Sequence, residues 1–125
     1  MNEEDVVAKA LELRCIGYNC AQSVADALVP DESLHVAMTG FGLGMGDSYG
    51  TCGAISGAIA ALGSKMQGKT KEAIHGFAKS IKDDFHARNG SVICRDLKGL
   101  DTGKPLRECN GCIEDAVRIA CARCR

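Results

Sequence analysis

Residues 40–63 read GFGLGMGDSYGTCGAISGAIAALG and hold eight of the 15 glycines in the chain. Glycine has no Cβ and tolerates positive φ, so its density in residues 40–50 excludes a regular helix or strand there. From Thr51 onward the residues are small, apolar and compatible with a helix that closes at Gly63. Thr51 is a suitable N-cap, which would put Cys52 in the first turn, beside N–H groups that favour a thiolate. The stretch predicts a glycine loop that delivers a thiol to a helix start.

Composition limits the classes of function. A chain of 125 residues is expected to form a single domain, residues 1–125. The net charge of −1 and the scarcity of aromatic residues argue against nucleic-acid binding. The N-terminus has no apolar signal segment and no apolar run reaches the length of a membrane span, so we expect a cytoplasmic protein without membrane insertion. Eight cysteines stand out, because in a reducing compartment they favour metal binding or redox chemistry over structural disulfides.

Helical periodicity and capping residues predict an all-α fold. Apolar residues recur at helical spacing near the N-terminus, after Thr70 and after Asn110, where a regular stripe continues to Cys124. The predicted helices, counted from their capping residues, are residues 3–14, 19–29, 31–39, 51–63, 70–88, 91–97 and 110–124. No segment alternates in the manner of a strand. We therefore expect a compact bundle of about five or six helices with a glycine-rich loop.

Four cysteines share one local context, because each follows a polar capping residue by one to three positions. The pairs are Asn19 and Cys20, Thr51 and Cys52, Ser91 and Cys94, and Asn110 and Cys112. A thiol at a helix start is expected to have a lowered pKa and nearby N–H donors, which suits a thiolate ligand. The alternative is four independently buried cysteines. We favour a fold that gathers the four helix starts, since packing alone rarely produces four such coincidences.

The same cysteines carry a resemblance to a known family. The segments NCAQSV (residues 19–24), ICRDL (93–97) and CIEDAV (112–117), together with the glycine-rich stretch, resemble the C_GCAxxG_C_C family of redox-active proteins. CGAISG at residues 52–57 matches the CGAxxG part of the pattern, and the likeness extends over about residues 19–120. The resemblance implies a small redox protein. Carried over by position, the family's cysteines are Cys20, Cys52, Cys94 and Cys112.

The first functional hypothesis is an electron-transfer or redox-sensing protein that binds an iron–sulfur cluster through these four cysteines. The loop at residues 40–50 would bring backbone close to the cluster and donate N–H groups to its sulfides. The glycines expected to contact the cluster are Gly44, Gly46, Gly50 and Gly53. The expected partner is a redox protein of unknown identity, and a homodimer is compatible with the sequence.

Two other hypotheses remain open. In a thiol–disulfide oxidoreductase, a low-pKa Cys52 would attack a disulfide and a second cysteine, such as Cys20, would resolve the intermediate. The third hypothesis is a structural zinc module, or an interaction protein with no cofactor. The histidines lack metal-ligand spacing, and we expect His35, His75 and His86 to be surface or packing residues.

Four further cysteines exceed the four-cysteine pattern: Cys15, Cys109, Cys121 and Cys124. The pairs Cys109-x-x-Cys112 and Cys121-x-x-Cys124 resemble zinc ligands, but on a continuous helix Cys112 and Cys121 are about 13.5 Å apart along the axis. One zinc ion holds its sulfurs at about 2.3 Å and cannot bind both pairs. We expect Cys121 and Cys124 to pack in the core or at a dimer interface. Cys109 with Cys112 remains a candidate dithiol.

Residues 63–70, GSKMQGKT, match the phosphate-binding pattern GxxxxGK[ST]. That pattern binds phosphate only where it follows a buried strand and opens a helix. The preceding residues are rich in alanine and glycine and favour a helix instead. We interpret the match as a helix end at Gly63 followed by an N-cap at Thr70.

Overall fold

The protein is all-α in a computed structural model that describes residues 2–124. The helices are α1 (Glu3–Cys15), α2 (Cys20–Leu28), α3 (Glu32–Ala37), α4 (Gly42–Met45), α5 (Gly53–Gly63), α6 (Lys71–Asn89), α7 (Cys94–Lys98) and α8 (Cys109–Arg123). A 3₁₀ turn at Met38–Phe41 connects α3 to α4. Within residues 2–124 there is no strand, which confirms the predicted fold class. The number of helices in the described residues is larger than the expected five or six. The short helices α3, α4 and α7 account for the difference.

Several helix ends lie where the sequence predicts them. The Asn19 side chain accepts a hydrogen bond from the Gln22 N–H at 2.9 Å, and the Gln22 side chain accepts one from the Asn19 N–H at 3.1 Å. This reciprocal capping box fixes the start of α2. Thr70 caps α6 through its hydroxyl. Gly17 and Gly90, with φ of 116° and 85°, follow the ends of α1 and α6 in conformations that favour glycine.

Three predicted N-caps are wrong. Thr51 is extended and forms an isolated antiparallel bridge with Ile93, so the N-cap of α5 is Cys52. The Ser91 hydroxyl accepts a hydrogen bond from the Ile93 N–H at 3.0 Å, before the helix begins. The N-cap of α7 is Ile93. Asn110 lies inside α8, which begins one residue before it. The cysteines at the starts of α5, α7 and α8 are therefore not placed by polar caps.

Helix α5 lies at the centre of the fold, where it packs against α2, α6 and α8, while α1 packs against α2 and α8. The largest fully buried side chains include Val24, Ile55, Ile81, Phe85 and Ile113. α2 and α5 approach each other closely at Gly57, where a Cβ would collide with the Ala21 carbonyl oxygen. In the part of the chain that the structure describes, no helix combines the length and apolar character needed to cross a bilayer.

The apolar stripe of α8 is buried as predicted over most of its length. Ala116, Val117 and Ala120 are fully buried, and Cys121 is half-buried against the core. Cys124 is exposed, so of the two expected places the core is wrong, and the dimer interface stays a prediction. The reason is that α8 ends one residue earlier, and Cys124 is the C-cap rather than part of the helical stripe.

The phosphate-binding pattern at residues 63–70 has no strand before it. Helix α5 continues to Gly63, and Thr70 is the N-cap of α6. The interpretation of this motif as a helix end followed by a cap is confirmed.

Candidate functional site

Five cysteines line one cavity of about 220 Å³. They comprise the four predicted ligands and one further residue: Cys20, Cys52, Cys94, Cys112 and Cys109. The cavity has roughly the volume that seven water molecules occupy in the liquid. Its other lining residues are Arg14, Gly17, Tyr18, Asn19, Leu43, Gly53, Leu97, Lys98 and Arg107. The fold thus brings together thiols that lie far apart along the chain.

Cys20 and Cys52 meet because α2 and α5 pack closely at their N-terminal ends. Cys20 begins α2, and Cys52 immediately precedes α5. Gly53 lies between them, since a Cβ at this position would be 2.5 Å from the Cys20 sulfur and 2.9 Å from the Phe41 carbonyl oxygen. A real Cβ essentially never comes this close to another heavy atom. A glycine after Cys52 is therefore required for the Cys20 sulfur to reach the cavity.

Cys94 is held beside Cys52 by a short backbone pairing. The bridge between Thr51 and Ile93 is flanked by two hydrogen bonds, from Cys52 N to the Val92 carbonyl at 2.7 Å and from Cys94 N to the Gly50 carbonyl at 3.0 Å. Two segments that each precede a helix are thereby fixed in register, so α5 and α7 start next to each other.

Cys109 and Cys112 both come from the first turn of α8. Cys109 is the first residue of that helix and is half-buried, whereas Cys112 is only 3% exposed. A hydrogen bond between Cys52 and Cys112 raises the pKa of Cys52. The Cys112 thiol lies 3.9 Å from the Arg107 carbonyl oxygen, at the upper limit for a bond from sulfur. These contacts connect the start of α8 to the start of α5.

The glycine loop adopts left-handed backbone around α4. Leu43, Met45 and Ser48 have φ of 56°, 65° and 70°, values that side-chain-bearing residues rarely adopt. This conformation points the Leu43 N–H at the sulfur of Cys20, which accepts a hydrogen bond from it. Strain concentrated in a loop that contacts a cavity of thiols is typical of functional sites.

The four glycines predicted to contact a cofactor lie in different places. Gly53 lines the cavity. Gly44, at φ 55°, packs against Cys94, and its carbonyl accepts a hydrogen bond from the Gly50 N–H at 3.0 Å. Gly46 is exposed and would have nothing within 4 Å of a Cβ. Cofactor contact by these glycines stays a prediction, but the geometry gives Gly44 and Gly50 a role in shaping the loop.

Positive charge surrounds the thiols. Arg14, Lys98 and Arg107 line the cavity, and no carboxylate does so among the residues that the structure describes. The Arg107 guanidinium lies over Gly111 in the first turn of α8. An electropositive cavity of this kind stabilises thiolates and anionic groups.

Cys20, Cys52 and Cys94 nevertheless have raised pKa values in the metal-free protein, contrary to the prediction from helix starts. The hydrogen bond to Cys112, together with burial, raises the pKa of Cys52 although the N–H groups of Ala54 and Ile55 act in the opposite direction. Burial raises the pKa of Cys20 and also that of Cys94, where Lys98 opposes it. Burial outweighs the helix termini because a thiolate loses more solvation than these donors restore. A bound metal cation would reverse this balance.

The remaining predicted candidates lie away from this cavity. Cys121 and Cys124 line a separate cavity that also contains Glu3, so the two CxxC pairs do not meet. Cys15 is exposed. Among residues 2–124 no three cysteine, histidine or carboxylate side chains are arranged to hold one metal ion.

The histidines occupy the surface and packing positions expected of them. His75 and His86 are exposed, and the His35 ring packs on Tyr18 with a centroid separation of 4.5 Å.

Sequence reasoning missed two features of the site. One is the place of Cys109 beside the four predicted ligands, because the sequence suggested only a dithiol with Cys112, whose i, i+3 spacing indicates a shared face. The other is the set of cations Arg14, Lys98 and Arg107. No spacing in the sequence indicates that these side chains converge, because they belong to three different parts of the chain.

A family model matches most of the chain. The family model described as "Putative redox-active protein (C_GCAxxG_C_C)" matches residues 18–122. No curated protein and no solved structure is significantly similar to the chain. The matched range contains all five cysteines of the cavity.

Proposed function

Since the chain belongs to the C_GCAxxG_C_C family of redox-active proteins, we propose that it is a small electron-transfer or redox-sensing protein with an iron–sulfur cluster. The ligands would be the thiolates of Cys20, Cys52, Cys94 and Cys112. One observation carries the proposal: these four cysteines line a single cavity together with three cationic side chains. Four cysteine thiolates are the usual ligands of [2Fe–2S] and [4Fe–4S] clusters.

The spacing of the thiols favours a cluster over a single zinc ion. A zinc ion needs all its sulfurs within about 2.3 Å of one point. Within the described residues no three candidate side chains have such an arrangement. In a cluster, different iron atoms bind different cysteines, so the ligands stand farther apart around a central volume. The cavity of about 220 Å³ between the cysteines provides that volume.

The surroundings of the thiols suit an anionic centre. Backbone hydrogen bonds from Leu43 to Cys20 and from Ala54 to Cys52 act to lower the pKa of these two thiols. Hydrogen bonds to ligand sulfurs and nearby positive charge raise the reduction potential of a cluster. Arg14 and Lys98 add positive charge at the cavity wall. When bound, a cluster supplies one-electron chemistry, while the protein holds its ligands, partly excludes water and sets its potential.

The site opens to the surface, as exchange of electrons with a partner requires. Cys20 and Cys109 are half-buried, while Cys52, Cys94 and Cys112 are buried. Leu43, at the cavity wall, is 48% exposed. We propose that a redox partner protein approaches on this side.

The alternative in which Cys52 attacks a disulfide and Cys20 resolves it has less support. An attacking cysteine needs an accessible thiolate. Cys52 is 6% exposed, and its pKa is raised by the hydrogen bond to Cys112 and by burial. The geometry around Cys52 suits a buried ligand better than a nucleophile.

The proposal is tested by anaerobic reconstitution of the full chain with ferrous iron and sulfide, followed by visible absorption and iron and sulfide analysis. We expect a coloured protein with equal amounts of iron and sulfide. Cys94→Ala should lower the affinity for iron by at least about tenfold, since even loss of an outer-shell partner has that effect. The matched control Cys15→Ala, at an exposed thiol outside the cavity, should load normally. A colourless wild-type protein, or a Cys94→Ala variant that loads like wild type, would overturn the proposal.

A further inference from the structure

Cys109 is a thiol that the proposed ligand set does not use. It lines the same cavity as the four family cysteines. It is also close enough to Cys20 and Cys94 for a charge on Cys109 to raise the pKa of both. The family pattern contains four cysteines, so this fifth thiol needs a separate account.

Cys109 and Cys112 are placed to form a disulfide with each other. Both lie in the first turn of α8, three residues apart, and therefore on one face of the helix. Helix geometry puts their Cα atoms about 5 Å apart. Native disulfides span Cα separations of about 4.4–6.8 Å, so the bond can form without moving the helix axis.

The two thiols differ in access, which sets their order of reaction. Cys109 is half-buried at the cavity mouth, whereas Cys112 is 3% exposed. The first turn of α8 has no side-chain cap. The guanidinium of Arg107 lies over Gly111, between the two cysteines in sequence. A reagent entering the cavity therefore reaches Cys109 before Cys112.

We propose that Cys109 and Cys112 form a dithiol that reacts with low-molecular-weight disulfides in the cluster-free protein. The Cys109 thiolate attacks one sulfur of the reagent disulfide, whose S–S bond breaks and releases one thiolate. The Cys112 thiolate then attacks the Cys109 sulfur of the mixed disulfide and releases the second thiolate. The two protein thiols lose two electrons and two protons, and the reagent disulfide becomes two thiols.

The protein disulfide has a consequence for the metal site. It occupies the sulfur of Cys112, which the proposed function assigns as a ligand, and this step rests on that function. The oxidised protein then has three ligands instead of four and does not load a cluster until a thiol reduces it. Cys109 therefore couples cluster loading to the thiol–disulfide balance.

The test begins with metal-free full-length protein incubated with glutathione disulfide and digested with trypsin without reduction. Residues 108–118 form one tryptic peptide whose only cysteines are Cys109 and Cys112. We expect this peptide to lose two hydrogens without gaining glutathione. A peptide cross-linked through Cys52 and Cys112, stable glutathione on Cys109, or unreacted thiols would each overturn the proposal.

Variants separate this proposal from the proposed function. Cys109→Ser should abolish the internal disulfide and, after the same treatment, load iron normally. Oxidised wild type should load at least about tenfold less iron than reduced wild type. Cys121→Ser, a change of a cysteine on the same helix outside the cavity, serves as the control and should behave as wild type.

If reduced Cys109→Ser fails to load iron, Cys109 is itself a ligand and the proposed coupling is overturned. If reduced wild type fails to load iron, the proposed cluster is contradicted instead. The mass of the tryptic peptide then still shows whether Cys109 and Cys112 form a disulfide.

Discussion

The Cys20 sulfur occupies the space in which a side chain on residue 53 would lie, because a Cβ on Gly53 would be 2.5 Å from it. One turn further along α5, a Cβ on Gly57 would meet the backbone of Ala21. The two glycines of CGAISG therefore lie on the face of α5 that packs against α2. Because these two glycines have no side chains, the helix that begins with Cys20 can approach Cys52 closely.

Gly53→Ala should destabilise the metal-free protein. The added methyl group has to displace the Cys20 sulfur or the Phe41 carbonyl oxygen, which lies 2.9 Å away. Overpacking of this kind costs about 1–3 kcal/mol. We expect a lower free energy of unfolding in urea and, after reconstitution, weaker iron binding.

Gly76→Ala is the matched control for that substitution. Gly76 lies inside α6, and a Cβ there would meet nothing within 4 Å. The change should stabilise the protein by about 0.5–1 kcal/mol, because alanine favours a helix over glycine. Equal effects of the two substitutions would show that the contact at Gly53 has no special role.

Arg107→Gln should lower the reduction potential of the reconstituted protein. Arg107 lines the cavity, and removing its charge disfavours the more negative, reduced centre. Two unit charges about 10 Å apart interact by roughly 1–2 kcal/mol at an effective dielectric constant of about 20. For the guanidinium charge and the electron added to the cluster, this is equivalent to tens of millivolts. Protein-film voltammetry measures the shift. Arg95→Gln is the control, because Arg95 is paired with a carboxylate as Arg107 is but does not line the cavity, and it should leave the potential closer to wild type.

The raised thiol pKa values predict that the metal-free protein loses stability at high pH. Unfolding returns Cys20 and Cys52 toward the ordinary value of 9.0, so the folded state binds more protons above that pH. The stabilisation is complete below pH 9.0 and decreases as the pH rises toward the raised values. Urea unfolding from about pH 7.5 to 10 should show this decline. Cys20→Ala should reduce the decline of the free energy of unfolding with pH, whereas Cys15→Ala should not. Equal declines in the two variants would contradict the assignment of the effect to Cys20.

The contact between α1 and α8 should weaken in acid. Arg118 pairs with Glu3 at 2.8 Å and with Glu4 at 2.7 Å, and the hydrogen bond from Arg118 lowers the pKa of Glu4. A lowered pKa gives stabilisation that is present above the ordinary value of 4.5 and is lost as the pH falls through the lowered one. The difference in thermal midpoint between wild type and Arg118→Met should therefore shrink at acidic pH and at high salt. Lys79→Met, which breaks a pair within α6 only, is the control.

Much of the helical framework follows from local sequence signals. Asn19 with Gln22 predicts the start of α2, and Thr70 predicts the start of α6, because the capping side chain and the N–H that it accepts from are three residues apart. The fold class follows for the same reason, since helical periodicity is a property of neighbouring residues. The expected convergence of Cys20, Cys52, Cys94 and Cys112 is also seen, since they line one cavity, whereas their role as ligands stays a prediction.

The features that escaped sequence analysis depend on contacts between distant residues. The bridge between Thr51 and Ile93 is a single backbone pair, too short to produce the alternating pattern of a strand. It makes Cys52 the N-cap of α5 in place of Thr51. The pKa values were expected to be lowered by helix starts, but burial, which depends on the whole fold, raises that of Cys20.

Native mass spectrometry of the anaerobically reconstituted full chain tests the central claim most directly. Each wild-type chain should gain one cluster, seen as a mass increase from iron and sulfide in equal number. Cys94→Ala should fail to gain this mass, while Cys15→Ala should gain it in full. A wild-type chain that retains the apoprotein mass, or that gains only zinc, would contradict the account.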